Sequence, residues 1–197
     1  MKVVVDWDGT VTEKDGLYEV VRTFGDAKIY DETENRLGRE LTLHEVIAIE
    51  LTTVRAPLAD VVAWMLDNAR LRKGFSGFAR EWRPTVVSSG LRALIEPVLD
   101  REGLILDVHA NEVVPRPDGW QVVFRNDAVC TVCGEPCKRA DVDGLNGFVY
   151  VGDGFSDRCV ALAASRVFAR DGLADYLTER GVEFERFGDF LDIASRL

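Results

Sequence analysis

Apolar and polar positions divide the chain into two regimes. Val3, Val4 and Val5 form a short β-branched run that predicts a buried strand, and it stops at Asp6-Trp7-Asp8-Gly9-Thr10. Beyond Thr12 the period becomes helical. Leu17, Val20, Val21 and Phe24 recur at helical spacing, and after Gly25-Asp26 a second helix is predicted over Ile29 to Leu37. Thr42 opens a third, with Glu45 three residues on as a capping box. Pro57 fits the first turn of a fourth, whose apolar face is Val61, Val62, Trp64, Met65 and Leu66, and residues 72–82 predict a short fifth. Roughly 65 residues of helix separate the first strand from the next, far more than a strand-helix-strand crossover needs, so residues 13–80 are read as an inserted helical cap.

Strand-helix alternation resumes at Pro84. Thr85 to Gly90 predicts a second strand ending in Ser88-Ser89-Gly90, followed by a helix over Leu91 to Glu102 and a third strand over Leu104 to Val108. Residues 111–115 and 120–124 alternate around Pro117-Asp118-Gly119, the pattern of a β-hairpin flap. After a cysteine-bearing loop, Phe148 to Val151 predicts a fourth strand running into Gly152-Asp153-Gly154-Phe155-Ser156-Asp157. Helices at 157–164, 172–180 and 188–196 and strands at 166–169 and 182–186 complete the chain. The expectation is an α/β fold: a Rossmann-like doubly wound parallel sheet formed by residues 1–12 and 81–197, with the helical cap and a small flap.

Composition narrows the partners. Of 197 residues 47% are hydrophobic and 29% charged, an ordinary globular balance. Twenty-four Lys and Arg against 34 Asp and Glu give a net charge of -10, which argues against non-specific nucleic-acid or anionic-membrane binding. No signal-peptide pattern and no run of 18 apolar residues is present, so a cytoplasmic location with reduced or metal-bound cysteines is expected.

In a doubly wound sheet, ligands bind at the carboxyl ends of the strands. Asp6 and Asp8, Ser88, and Asp153 with Asp157 all belong to that edge, and Lys138 is a candidate to reach it. Taken alone, Asp6 and Asp8 read equally well as an acidic turn. Together, the set suits phosphoryl transfer, which needs charge stabilisation and in-line positioning. Asp6, nearest the strand, is the candidate nucleophile, giving an aspartyl-phosphate, and Asp8 the proton carrier. Asp153 is a metal ligand beside Asp6, with Asp157 completing the shell or holding a ligand water. Ser88, with the Ser89-Gly90 turn, and Lys138 would hold phosphoryl oxygens, and Mg²⁺ suits the all-oxygen donors.

The ordered set "DWDGT", "SSG", Lys138 and "GDGFSD" resembles the four motifs of the haloacid dehalogenase-like superfamily of aspartyl phosphatases, over about two thirds of the chain. The resemblance implies Asp6 as nucleophile, Asp8 as acid/base, Ser88 and Lys138 on the phosphate, and Mg²⁺ held by Asp6, the Asp8 backbone carbonyl and Asp153. Trp7 stands where the family usually has Phe, and Arg139 competes with Lys138 because the segment to Asp153 is short. The helical insert matches the phosphoserine phosphatase-like branch. Within it, "CTVCGEPCKR", "VGDGFSDRC" and "VFARDGLADYL" look similar to two groups, methionine-salvage enol-phosphate phosphatases and phosphoethanolamine/phosphocholine phosphatases. A small phosphorylated metabolite is the implied partner, with 2-hydroxy-3-keto-5-methylthiopentenyl-1-phosphate, phosphoserine and phosphoethanolamine as candidates, and the protein is expected to be a monomer or homodimer.

Two other classes use similar parts. A phosphotransferase shares every motif, and a phosphoacceptor signalling domain also pairs acids, a hydroxyl and a Lys, but lacks Asp8 and the helical insert. Asp15 and Arg55, and more weakly Arg116, are polar candidates for contacting the leaving group. Cys130, Cys133 and Cys137 form a candidate Zn²⁺ site with His109 a conceivable fourth ligand, the alternatives being a redox pair or plain thiols. Cys159 reads as a core residue on a helix, and His44 as a surface or packing residue.

Overall fold

The computed structural model describes residues 1–197. Its centre is a seven-stranded sheet in the order β4-β3-β2-β1-β5-β6-β7. The strands are β1 (Lys2–Val5), β2 (Thr85–Leu91), β3 (Val108–Val114), β4 (Gln121–Val123), β5 (Phe148–Gly152), β6 (Arg166–Ala169) and β7 (Glu185–Arg186). All neighbours pair in parallel except β3 with β4. Val3, Val4 and Val5 are buried because β1 lies between β2 and β5 with both faces covered, which is why the run is continuously apolar rather than alternating.

Helices α1 (Gly16–Phe24), α2 (Ala27–Glu34), α3 (Leu43–Leu51), α4 (Leu58–Asn68) and α5 (Phe75–Trp82) separate β1 from β2. Asp15 caps α1, Asp26 caps α2, and Thr42 with Glu45 forms the capping box of α3. These helices divide between two clusters. Val20, Val21, Ile47, Leu51, Val61 and Met65 pack with Leu91, Leu94 and Trp120. Phe75 and Phe78 instead join the cluster beneath β1, where they meet Phe190.

The third strand lies further along than expected. Leu104 is drawn into the end of α6 (Arg92–Arg101), where its N–H donates to the Leu99 carbonyl at 3.0 Å, and Ile105 is exposed, so the apolar run forms a helix terminus. β3 begins at Val108 and serves two partners. Val108 to Asn111 pairs with β2 in parallel, and Glu112 to Val114 pairs with β4 antiparallel, so one strand carries both core and flap. Beyond β5, the expected helix at 157–164 is a 3₁₀ turn (Phe155–Asp157) and the short α7 (Arg158–Ala161), followed by α8 (Asp171–Glu179) and α9 (Phe190–Ala194). No helix is long and apolar enough to cross a membrane.

Trp120 fastens the flap to the helices. Its N–H donates to the Leu51 and Val54 carbonyls at 3.0 Å each and its indole Nε1–H to the Ala56 carbonyl at 3.0 Å, with the ring 1% exposed. Trp120→Ala is expected to lower stability by about 3–5 kcal/mol, read as a lower urea midpoint, because it empties an aromatic-sized space and removes the indole donor from the Ala56 carbonyl.

Candidate active site

β1 delivers Asp6 to the carboxyl edge of the sheet, with the Asp6 N–H still donating to Val151 O at 2.9 Å. The chain then turns tightly over Trp7–Val11, a turn held from three sides. The Arg72 guanidinium donates to the carbonyls of Gly9 at 2.6 Å, Thr10 at 2.9 Å and Thr12 at 3.2 Å. Thr12 Oγ1 donates to Trp7 O and Lys14 O, and Thr10 Oγ1 donates to Asp153 Oδ1 at 2.7 Å. Gly9 has φ +75°, and a Cβ there would stand 2.3 Å from Asp153 Oδ2, so the turn needs glycine twice over.

Lys138 enters from the 3₁₀ turn Lys138–Val142 and is 1% exposed. Its ammonium donates to Asp6 Oδ1 and, at 2.7 Å, to Asp157 Oδ1. Burial alone would lower its pKa, but the Asp157 and Asp6 carboxylates outweigh that and hold it up. Asp157 also accepts from Tyr150 Oη at 2.6 Å and from the N–H groups of Asp153 and Gly154 at 2.9 Å each. Against its own burial, Lys138 and these donors keep its carboxyl below the usual value. Asp157 is thus within reach of an ion shared with Asp6 and Asp153, yet its oxygens are already engaged in holding Lys138 and the Asp153 loop.

Asp8 has no direct cation. Its Oδ1 accepts from the Gly16 N–H at 2.9 Å and its Oδ2 from Ser88 Oγ at 3.3 Å, and burial, then Asp15 and Asp6, push its pKa well up. β2 loosens here. Between Val87 and Leu91 three residues face Ala110 alone on β3, a bulge that turns Ser88 Oγ toward Asp8 and lets it accept from the Gly90 N–H at 2.8 Å. A Cβ on Gly90 would lie 2.6 Å from Asp8 Oδ2. The bulge is tied down from behind: Asn111 Nδ2 donates to Ser89 O at 2.8 Å, and Arg125 donates to Ser88 O at 2.8 Å while forking onto Asp141.

These groups open onto a cavity of about 160 Å³. Beside Asp6, Asp8 and Asp153 it is lined by three more carboxylates, Asp15, Glu34 and Glu50, and by apolar residues including Leu17, Leu43 and Ile47. A larger space of about 480 Å³, reached past Ser89 and Lys138, includes Arg125, His44 and Cys133. The structure brings together Asp6, Asp8, Ser88, Lys138, Asp153 and Asp157, with Ser89, Gly90 and Asp15 on the cavity wall. It does not bring Arg55 or Arg116 there. Both are exposed and line neither space, Arg55 because it sits on the loop between α3 and α4, where it points to solvent. Arg139 donates to the Cys159 carbonyl, so Lys138 holds the position that the two disputed. His109 sits between Asp107 and Asp141, at 3.3 Å from each, and is no fourth partner of the cysteines. That place is taken by Cys159, whose Sγ groups with those of Cys130, Cys133 and Cys137.

Thr10, Arg72, Tyr150, Asn111 and Arg125 carry parts of the site that sequence reasoning missed. Tyr150 left a signal, as the one hydroxyl in an otherwise apolar strand. Arg72, more than 60 positions from the turn it holds, left none.

The chain has the fold of solved phosphoserine phosphatases, and the curated relatives it matches are named as phosphatases. Across its whole length it is 26% identical over 214 aligned residues, 95% of the relative, to the 2-hydroxy-3-keto-5-methylthiopentenyl-1-phosphate phosphatase of Bacillus thuringiensis (strain Al Hakam). A phosphoserine phosphatase in apo form superposes with a TM-score of 0.71 at 18% identity, covering 99% of this chain and 98% of its own. A structure described as a phospho-aspartyl intermediate analogue of phosphoserine phosphatase gives 0.69 at 17% identity, covering 99% and 97%. The chain matches no family model.

Glu50 gives the cavity a pH signature. It is 2% exposed, accepts from Thr33 Oγ1 at 2.7 Å, and burial lifts its pKa from 4.5 to about 8. The folded value exceeds the unfolded one, so this contribution to stability is complete below about 4.5 and is lost as pH rises through about 8. Glu50→Gln keeps the acceptor and removes the titration. The variant's melting temperature should gain on the parent's steadily from about pH 5 to about pH 8, and a gap independent of pH would exclude the account.

Proposed function

We propose that the protein is a Mg²⁺-dependent phosphomonoesterase that works through an aspartyl-phosphate on Asp6. The observation that carries this is the contrast between two carboxylates two residues apart. Asp6 is paired with the buried Lys138 ammonium, while Asp8 is surrounded by Asp6, Asp15 and neutral donors. A nucleophile has to be ionised and a leaving-group acid protonated; burial and then Asp157 push the Asp6 carboxyl up as well, and the Lys138 ammonium is the counter-charge pulling it back down, which Asp8 lacks in direct contact. The Asp6 carboxylate attacks phosphorus as the bond to the leaving oxygen breaks, and that oxygen takes the Asp8 proton. Asp8 then accepts a proton from water, the water oxygen attacks phosphorus, and the Asp6–phosphorus bond breaks to release inorganic phosphate. Ser88 Oγ and Lys138 Nζ hold the phosphoryl oxygens through both steps.

The donor set fits a hard divalent ion. Oxygens of Asp6, Asp153 and Asp157 lie within 4.8 Å of one another, and one ammonium leaves two of those three charges uncompensated. Asp6, Asp153 and the Asp8 carbonyl would hold Mg²⁺, with Asp157 behind them fixing Lys138 and the loop. The ion would supply neutralisation of the phosphoryl charge. The structure described as a phospho-aspartyl intermediate analogue supports the same chemistry.

We read α1–α4 as the substrate-selecting cap. The curated relatives favour the methylthiopentenyl enol phosphate as substrate, and Leu17, Leu37, Leu43, Val46 and Ile47 offer an apolar wall for its methylthio end. Asp15, Glu34 and Glu50 favour a second reading, a leaving group bearing an ammonium, as in phosphoethanolamine or phosphoserine. Such metabolites are met in the cytoplasm, where we place the protein.

Purified protein should hydrolyse p-nitrophenyl phosphate, lose that activity in EDTA and regain it with Mg²⁺, while Asp6→Asn lowers kcat at least about a thousandfold. Activity surviving in Asp6→Asn would remove Asp6 as nucleophile, and a stable phosphoprotein without turnover would point to a phosphoacceptor domain. Ranking kcat/KM for the enol phosphate, phosphoserine and phosphoethanolamine separates the two substrate readings. An apolar-wall enzyme favours the first by at least about tenfold, and product analysis with added alcohols reveals any phosphotransfer.

A further inference from the structure

Four cysteines converge outside the carboxylate site. The Sγ atoms of Cys130, Cys133, Cys137 and Cys159 all lie within 4.8 Å of one another, and none is bonded to another. Three belong to the loop after β4, and Cys159 belongs to α7, two residues beyond Asp157. The Cys130 and Cys159 sulfurs are 3.8 Å apart. Four thiolates at the Zn–S distance of about 2.3 Å around a tetrahedral ion are separated by about 3.8 Å, so the closest pair already spans one edge of that figure.

The backbone is shaped for the same purpose. Val132 N–H approaches Cys130 Sγ at 3.4 Å, Gly134 N–H donates to Cys130 O at 2.9 Å, and Cys130 N–H donates to Glu135 O at 3.1 Å. This tight knuckle turns Cys130 and Cys133 to one side and aims a backbone donor at a sulfur, as thiolate ligands require. The Cys-x₂-Cys spacing is that of a structural zinc centre.

What the loop lacks points the same way. From Gln121 to Cys137 no residue is fully buried, and Val129 and Val132 stand exposed. Between β4 and the turn at Lys138 there is neither strand nor helix. Such a stretch buries too little apolar surface to order itself. Yet the next residue, Lys138, is 1% exposed and is held within hydrogen-bond distance of two carboxylates. A cross-link between this loop and α7 supplies the missing constraint.

We propose that Cys130, Cys133, Cys137 and Cys159 form a four-thiolate Zn²⁺ site that clamps the Lys138 segment to the Asp157 segment. Soft sulfur donors select zinc as the all-oxygen site beside Asp6 selects magnesium, so one protein sorts two metals by ligand chemistry. The site's existence stands on the cysteines alone; its effect on turnover rests on the phosphatase reading.

The test is made on the full-length protein after dialysis against metal-free buffer. It should retain about one equivalent of zinc, and titration with a mercurial thiol reagent should release that zinc, detected with a chromogenic chelator. Cobalt substitution should give the intense visible and near-ultraviolet bands of tetrahedral thiolate coordination. Cys159→Ser should cut retained zinc below about a tenth of an equivalent, and His109→Ala should leave it at one. Zinc-free parent protein with four free thiols, or with a disulfide, would overturn the proposal. If zinc binds as expected but no phosphatase activity exists, the metal site stands and the functional reading alone fails. With both correct, zinc removal in Mg²⁺-replete buffer should raise the Kd for inorganic phosphate at least about tenfold by loosening Lys138.

Discussion

The buried ion triad of Lys138 with Asp6 and Asp157 is the interaction on which the rest of the site depends. An ammonium taken out of water carries a penalty that only close, well-directed anions offset, and Lys138 has two. Each anion is fixed by something else, Asp6 by the pairing of β1 with β5 and Asp157 by Tyr150 and two backbone N–H groups. The ends of three chain segments are therefore gathered at one point by charge rather than by apolar packing. The same triad leaves negative charge in excess, which the proposed divalent ion would neutralise.

Much of this was legible in the sequence because its chemistry is local. The acid pair after β1, the hydroxyls after β2 and the acids after β5 each follow an apolar run, and the rule that ligands gather at the carboxyl edge of a parallel sheet was enough to assemble them. What could not be read depends on contacts between distant segments. Arg72 belongs to no motif and becomes important only because the chain returns it to the Gly9 turn. Leu104 and Ile105 imitate a strand because a short apolar run does not disclose whether it extends a sheet or seals a helix end. Cys159 lies 22 residues past its nearest partner in sequence and inside a different motif, so it reads as a core residue and His109 as the conceivable fourth ligand, whereas the fold assigns His109 to two aspartates.

The cavity wall divides along similar lines. Strand ends and the turns after them bring Asp6, Asp8, Ser89, Gly90 and Asp153 to the cavity, whereas Leu17, Tyr18, Tyr30, Glu34, Leu43, Val46, Ile47 and Glu50 come from α1, α2 and α3. That surface mixes apolar residues with carboxylates, one of which, Glu50, is held closer to its neutral form by burial. On the proposed phosphatase reading, a wall whose polarity changes with protonation would discriminate differently among neutral and cationic leaving groups, while the reaction itself would stay the same.

β3 has a mechanical consequence. It is a core strand up to Asn111 and a flap arm beyond, and Asn111 is also the residue that grips the Ser88–Gly90 bulge through Ser89. The flap therefore behaves as a lever whose fulcrum is Asn111. It can twist about that point, but it cannot slide along its axis without dragging the Ser88–Gly90 bulge with it, so the position of the flap and the shape of the bulge are geared together.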